Sequence, residues 1–277
     1  MINKIFLITG IIVFGLAITF FIGDRIMKSQ SAREIEKLFA ASDYISDKVY
    51  SSQQIKSLPN PVQRYFKYSL PENQPTISYA RLKHGGEFRT KPDQKWMTIK
   101  GQEYFTVQKP GFIWLGKVPL VSAKDMYYDG KGSLKVRLLS LIKLVDARGK
   151  EVDQGELLRW LAEAAWFPTA LLPSEKLNWE PIDNDSSRAV LSDEGLTVEG
   201  VFTFNEQGQI ALFNTKRYKD NSLESWTGHY KDYRDVDGMK IPFSVEVVWN
   251  LESGDFSYAR FSMTEIDYNI PEKYNHH

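Results

Sequence analysis

The 277-residue chain has no cysteine. Disulfides, thiolate metal sites, cysteine nucleophiles and a lipidated cysteine are therefore excluded. Excess charge of one sign is also missing: 35 Lys and Arg balance 35 Asp and Glu. With no run of like charge, there is no electrostatic reason to expect nucleic acid, whose binding rests on clustered Lys and Arg against phosphate. Histidine is scarce, at four residues, and two of these (His276 and His277) end the chain. No HxH, HExxH or carboxylate-rich loop occurs, and Asp183–Glu194 lacks the glycine and ligand spacing of an EF-hand, so neither metal nor cofactor is expected. GxSxG, P-loop and GxGxxG motifs are absent too, and no residue stands out as catalytic. What is abundant is apolar and aromatic material, 42% and 13% of the chain, enough for a sizeable core.

One long apolar run is present. Ile5–Gly23, "IFLITGIIVFGLAITFFIG", carries no charge over about 19 residues. At about 1.5 Å per residue this just spans a bilayer core of about 30 Å. A signal peptide is the alternative, but its apolar region is usually shorter, and the small-x-small triplet Ser29-Gln30-Ser31 lies too far downstream for cleavage. Lys4 precedes the run and Asp24, Arg25 and Lys28 follow it, a weak asymmetry for setting orientation. The expectation is an uncleaved single-pass anchor over 1–30, with 31–277 as one domain outside the cytoplasm.

After the run, Ser31–Asp43 has apolar positions at Ile35, Leu38 and Phe39 and predicts a short amphipathic helix with Ser31 as its cap. Ser52–Ser69 predicts a second helical region, with Val62, Tyr65, Phe66 and Ser69 on one face and Pro61 in a first turn. From Ile77 the period changes to two. Short strands follow one another with turns at Asp129-Gly130, Glu194-Gly195, Gln207-Gly208 and Asp237-Gly238, the pattern of an antiparallel meander. The predicted fold is α+β: a curved, largely antiparallel sheet, or half-barrel, packed against a few helices.

The meander is interrupted once. "GELLRWLAEAAWFPTALLP" (Gly155–Pro173) has apolar residues round most of a helix that Pro168 must end near Phe167. Asp153 is its candidate cap, with Glu156 completing a capping box. Such a helix must be covered on more than one side. Three roles remain open: a core helix wrapped by the sheet, one wall of a lipid pocket, or a carrier of buried chemistry. Arg159 and Glu163 form an i,i+4 pair inside it, where an unpaired charge would be costly. Candidate ligand-binding residues are Arg64, His84, Glu87, Arg89, Arg159 and Glu163 as a polar end, with Leu161 and Trp166 as apolar wall. The same polar residues read first as a salt-bridged lock between helix and sheet, and last, with His84 or Glu163 as base, as a catalytic centre.

The segments Leu58–Pro71, Leu82–Arg89, Leu157–Pro173, Ser225–Leu251 and Gly254–Tyr268 together resemble a bacterial family of membrane-anchored proteins of unknown function. Its helix-plus-meander layout is similar, at the level of fold alone, to Lol-type (LolA-like and LolB-like) lipoprotein carriers. That resemblance implies a curved sheet closed by helices around an apolar cavity. The expectation is a membrane-anchored, non-catalytic envelope protein holding a lipid or other hydrophobic ligand between the sheet and the Gly155–Phe167 helix. An envelope scaffold with a solid core and no ligand is the alternative, and an enzyme of unrecognised type a third.

Overall fold

The computed structural model describes residues 2–42, 44–220 and 222–275, with side chains described from residue 14 onward except 16, 17 and 19. Helix α1 (Ile2–Ala40) is followed by a 3-10 turn (Ser52–Ile55) and helix α2 (Asn60–Ser69). The expected separate helix capped by Ser31 does not form. Ser31 lies inside α1, because no proline or glycine between Asp24 and Ala40 interrupts it. Among the described residues no helix is long and apolar enough to cross a membrane. Most of the run Ile5–Gly23, on which the anchor expectation rests, lies outside the residues with described side chains, and His276 and His277 lie outside the described residues. In α2, Pro61 occupies the first turn and Val62, Tyr65, Phe66 and Ser69 are buried, as their spacing predicts.

Six strands form a first meander: β1 (Tyr79–Phe88), β2 (Met97–Thr106), β3 (Gly111–Val118), β4 (Val121–Tyr128), β5 (Lys131–Leu138) and β6 (Ile142–Ala147). Helix α3 (Lys150–Glu163) and two 3-10 turns (Ala164–Trp166 and Pro168–Leu171) come next. A second meander contains β7 (Leu177–Pro181), β8 (Ser186–Asp193), β9 (Leu196–Phe204), β10 (Ile210–Lys219), β11 (Ser222–Val236), β12 (Met239–Leu251) and β13 (Gly254–Tyr268). At the turn between β4 and β5, Asp129 and Gly130 both take positive φ (53° and 72°), as a tight hairpin requires.

β1 pairs with β13 and joins the two meanders into one antiparallel sheet of 13 strands, running from β6 at one edge to β7 at the other. The chain leaves the sheet at one edge and re-enters at the opposite one, so α3 has to cross its inner face. Trp160 Nε1 donates to Thr106 O (3.0 Å), and Tyr230 OH donates to Ala162 O (2.9 Å), tying the α3 region to both meanders. Tyr127 OH donates to Asp193 (3.0 Å), bringing β4 and β8 together. The sheet is therefore a half-barrel curled round α3.

α3 starts at Lys150 behind Gly149 (φ 121°), ahead of the expected cap at Asp153. The Asp153 carboxylate is engaged elsewhere: it accepts from Gly132 N (2.7 Å) and pairs with Lys131 (3.3 Å), pinning the helix to the β4–β5 turn.

Strand alternation gives the sheet two unlike faces. The concave face holds the main core, into which α3 inserts Leu157, Trp160, Leu161 and, beyond its end, Phe167. The convex face carries a smaller cluster, in which Ile35, Leu38 and Phe39 of α1 sit on Tyr79, Tyr104, Ile113 and Tyr274.

Candidate functional site

On the concave face, Arg159 reaches from α3 to three carboxylates. Its Nε lies 2.8 Å from Glu163, Nη1 2.6 Å from Asp125 on β4, and Nη2 2.8 Å from Glu103 on β2. Beside it Arg217 on β10 meets Glu156 at 3.4 Å. All are buried or nearly so; the Glu103 side chain is 1% exposed. Burial pushes the carboxyls of Glu103, Asp125 and Glu163 above their ordinary range, against the pull of Arg159. Burial and the neighbouring Asp125 push Glu156 up to about 8. Burial also works against the Arg159 charge, but Glu103, Glu163, Asp125 and Glu156 outweigh it and fix the guanidinium as a cation.

The same face carries His84. Trp114 Nε1 donates to its Nε2 (2.7 Å), so the ring proton sits on Nδ1, facing Gly85 O at 3.3 Å. Burial lowers His84 to about 4, which keeps it neutral. Arg159 lies 5.0 Å over the Trp114 ring. Two glycines make room for this stack: a Cβ on Gly101 would come 2.0 Å from His84 Nε2, and one on Gly116 2.2 Å from the Trp114 ring. Trp114 and Gly85 engage the two imidazole nitrogens and Arg159 ties Glu103, Asp125 and Glu163 together, so the cluster locks helix to sheet.

On the convex face lies a cavity of about 560 Å³, between the Met27–Ile35 stretch of α1 and strands β1–β5. That volume is within the range of small-molecule sites. α1 closes it at both ends. Towards its N-terminal half, Asp24 pairs with Lys117 and Gly23 rests on Leu141; towards its C-terminus, Ile35, Leu38 and Phe39 seal it. The sheet floor is built in cross-strand rows. One row reads Gly85, Lys100, Lys117, Ser122, Arg137 and the next Lys83, Gln102, Leu115, Lys124, Lys135, from β1 to β5. Tyr104, Leu115, Ile35 and Met27 give the cavity an apolar wall, and no carboxylate lines it among the described residues.

The residues marked by the sequence divide as follows. Arg159, Glu163 and His84 come together through Trp114. Leu161 and Trp166 are core residues of the concave face. Arg64 lies on the outer side of α2, paired with Asp185 (3.0 Å); Glu87 pairs with Arg260 (3.4 Å), and Arg89 stacks on Trp96 (4.5 Å), both away from α3. The expected ligand space between sheet and Gly155–Phe167 is filled by Trp160, Leu161 and Phe167, each essentially inaccessible. Sequence reasoning missed Glu103, Asp125 and Arg217, which only the sheet register brings to α3, and gave Glu156 a capping role where it pairs with Arg217. It missed the groove as well, although a signal existed: a tight turn at Asp129-Gly130 places Lys124 opposite Lys135. Among the described residues no group of three or more His, Asp or Glu is placed to hold a metal.

This is a half-barrel folded round a charged helix, with a cation-lined groove on its outer face. The chain belongs to a family of unknown function (DUF6544), whose model matches residues 48–261. No curated protein matches it. Among solved structures it is similar to a LolA superfamily protein from Nitrosomonas europaea (TM-score 0.44, 12% identity, 76% of this chain and 92% of that one). It is also similar to a domain described as an outer membrane lipoprotein-sorting protein from Vibrio parahaemolyticus (0.43, 10%, 76% and 91%) and to a DUF1329 family protein from Desulfovibrio piger (0.41, 9%, 86% and 93%).

Proposed function

We propose that the protein is a membrane-anchored, non-catalytic binding protein of the cell envelope, with its globular part outside the cytoplasm. The groove beneath α1, not the space around α3, holds a lipid or other hydrophobic ligand. The observation that carries this reading is the cavity of about 560 Å³, with an apolar wall, beneath α1.

The anchor is supported by the sequence of Ile5–Gly23 and by the exposure of the side chains described there, among them Phe14, Phe21 and Ile22. Two sheet turns extend this apolar end. Leu120 (62% exposed), Ile142 (56%) and Leu144 (54%) stand in or beside the β3–β4 and β5–β6 turns, which are joined by Leu139 N donating to Leu120 O (2.7 Å). Exposed leucines in adjoining turns, continuous with an apolar helix, suit a lipid surface better than water. Arg25, Lys28, Lys117 and Lys143 lie in the adjoining stretches, where headgroups would be.

A scaffold without ligand is the second reading, favoured by the filled concave face. Native mass spectrometry of the full chain, released gently from its host membrane, separates the two. A co-purifying lipid, lost on Ala32→Trp within the groove but kept on Arg64→Ala, is the expected result. A clean apo mass, with no uptake of added phospholipid or fatty acid, would leave the scaffold reading.

A further inference from the structure

We infer that the groove under α1 is an anion site, and that its ligand carries a phosphate or carboxylate head held on a bed of Lys100, Lys117, Lys124, Lys135 and Arg137. This rests on the reading of the groove as a ligand site and adds the chemistry that site selects.

The sheet register carries the inference. Lys100 stands directly opposite Lys117, and Lys124 directly opposite Lys135, on the same face and in adjacent rows. Like charges directly opposed across an antiparallel pair destabilise a sheet, and side chains can usually splay apart to avoid it. Here α1 crosses the rows and draws Lys117 and Lys124 towards Asp24 and Glu34, while Lys100 stays exposed and Lys135 half-buried. Arg137 extends the first row by one strand and faces Lys143 on the next. The resident carboxylates do not neutralise the set. Asp24 is shared between Lys28 and Lys117, and Glu34 serves Lys124. Lys100, Lys135 and Arg137 have no carboxylate within ion-pair distance among the described residues. Lys135 is half-buried and stands opposite Asp146 on β6 without an ion pair to it; burial, then Lys124 and Arg148, outweigh Glu34 and Asp146 and disfavour its ammonium. A divalent anion between the two rows would bridge both opposed pairs and form several charge-assisted hydrogen bonds. Leu115 stands between Gln102 and Lys124, and Tyr104 and Ile35 lie beyond it, so the site has the polarity of an amphiphile: head towards Lys100 and Arg137, tail under Ile35.

The same head chemistry occurs in an anionic lipid and in a free phosphate compound, and the test separates them. The full chain in neutral-lipid nanodiscs is titrated with dihexanoyl phosphatidic acid, with dihexanoyl phosphatidylcholine and with inorganic phosphate. Binding is read by calorimetry or native mass spectrometry. Phosphatidic acid is expected to bind at least about tenfold tighter than phosphatidylcholine of the same chain length. Lys100→Ala combined with Lys135→Ala should remove at least about tenfold of its affinity, and added salt should weaken it. Both substitutions are at half-buried or exposed positions, and an unchanged melting temperature certifies the fold. Phosphate binding as tightly as phosphatidic acid would uphold the anion site and assign it to a free anion, ending the lipid reading of the groove. Equal binding of both lipids, indifferent to the lysine substitutions, would overturn the anion inference and leave the groove reading intact. No binding of any of the three would overturn both.

Discussion

The two faces of this sheet solve the problem of crowded charge in opposite ways. On the concave face, four carboxylates (Glu103, Asp125, Glu156, Glu163) crowd together, and the protein supplies the counter-ions itself in Arg159 and Arg217. On the convex face, lysines crowd together and the carboxylates at hand reach only some of them. A cluster balanced from within, by two arginines and by the protons that burial favours on its carboxyls, is structure; its partners are fixed by folding. A cluster left short of counter-charge, under a helix that bridges it and beside a cavity, is arranged for something that comes from outside. The comparison also explains why the charges most conspicuous in the sequence, inside the most apolar helix, are the ones that do the holding.

The contrast breaks most visibly at Arg159. Arg159→Met leaves Glu103 and Asp125 buried without their cation and is expected to cost about 3–5 kcal/mol. For a chain of this size that lowers the melting temperature by about 10 °C or more. Thermal melts of the full chain in detergent check it; a loss within 0.5 kcal/mol would mean that the cluster does not hold helix to sheet.

Next in size is the packing beneath the cluster. Gly101→Ala would drive a methyl group to within 2.0 Å of His84 Nε2, so His84 must move and release the Trp114 indole N–H. Overpacking of this kind costs about 1–3 kcal/mol. If His84 is the cause, pairing Gly101→Ala with His84→Ala costs less than the sum of the single changes, which a double-mutant cycle measures. Strict additivity would place the strain elsewhere.

Much of this architecture was legible beforehand. The switch to a period of two after Ile77, the Asp-Gly turns and the single helical interruption defined a meander wrapped about a helix. The buried face of α2 followed from Val62, Tyr65, Phe66 and Ser69. Helix starts were less legible: α3 begins at Lys150, and Asp153, the obvious cap, is instead engaged by Gly132, a contact 21 residues away in sequence. Site assembly was legible only in part. Arg159 and Glu163 announced themselves by sitting in an apolar helix, but Glu103 and Asp125 look like ordinary strand polar residues until register brings them to Arg159. Arg64, Glu87 and Arg89 matched in residue type yet point to other places, because shared chemistry says nothing about which strand neighbours which. The groove needed α1 laid over the sheet, which no periodicity in the strands encodes.

pH distinguishes two members of the concave cluster, Glu156 and His84. The Glu156 carboxyl is raised from 4.5 to about 8 in the folded chain, so the folded state holds a proton that the unfolded state has lost. Its contribution to stability is complete below pH 4.5 and disappears as pH rises towards 8. His84 runs the other way: lowered from 6.5 to about 4, it contributes fully above 6.5 and is lost as pH falls towards 4. Glu156→Gln, which keeps the shape and removes the titration, is expected to flatten the alkaline limb. The gain relative to the native chain should grow from pH 6 to pH 8 by on the order of 1 kcal/mol per pH unit at most. Denaturant midpoints at pH 5, 6, 7 and 8 read it directly, and a constant offset across that range would show that Glu156 does not titrate there.

The smallest expected effect on stability belongs to the groove, and it sharpens the comparison most. Lys135 faces Lys124 across the β4–β5 pair, with no ion pair of its own and with its ammonium disfavoured by burial. Removing that charge while keeping an amide of similar reach, as in Lys135→Gln, relieves a repulsion and breaks no contact on which the fold depends. The expected change is within about 0.5 kcal/mol, and on the stabilising side at low salt, where the repulsion is least screened. The equivalent neutralisation on the concave face, at Arg159, moves stability several-fold further and in the opposite direction. Residues arranged for a ligand commonly lower the stability of the empty protein, and Lys135 is placed to do that. Melts at 20 mM and 300 mM salt test it. A loss of more than about 1 kcal/mol on Lys135→Gln, unrelieved by salt, would make Lys135 part of the framework that holds β4 to β5, and the two faces would then differ in sign of charge but not in purpose.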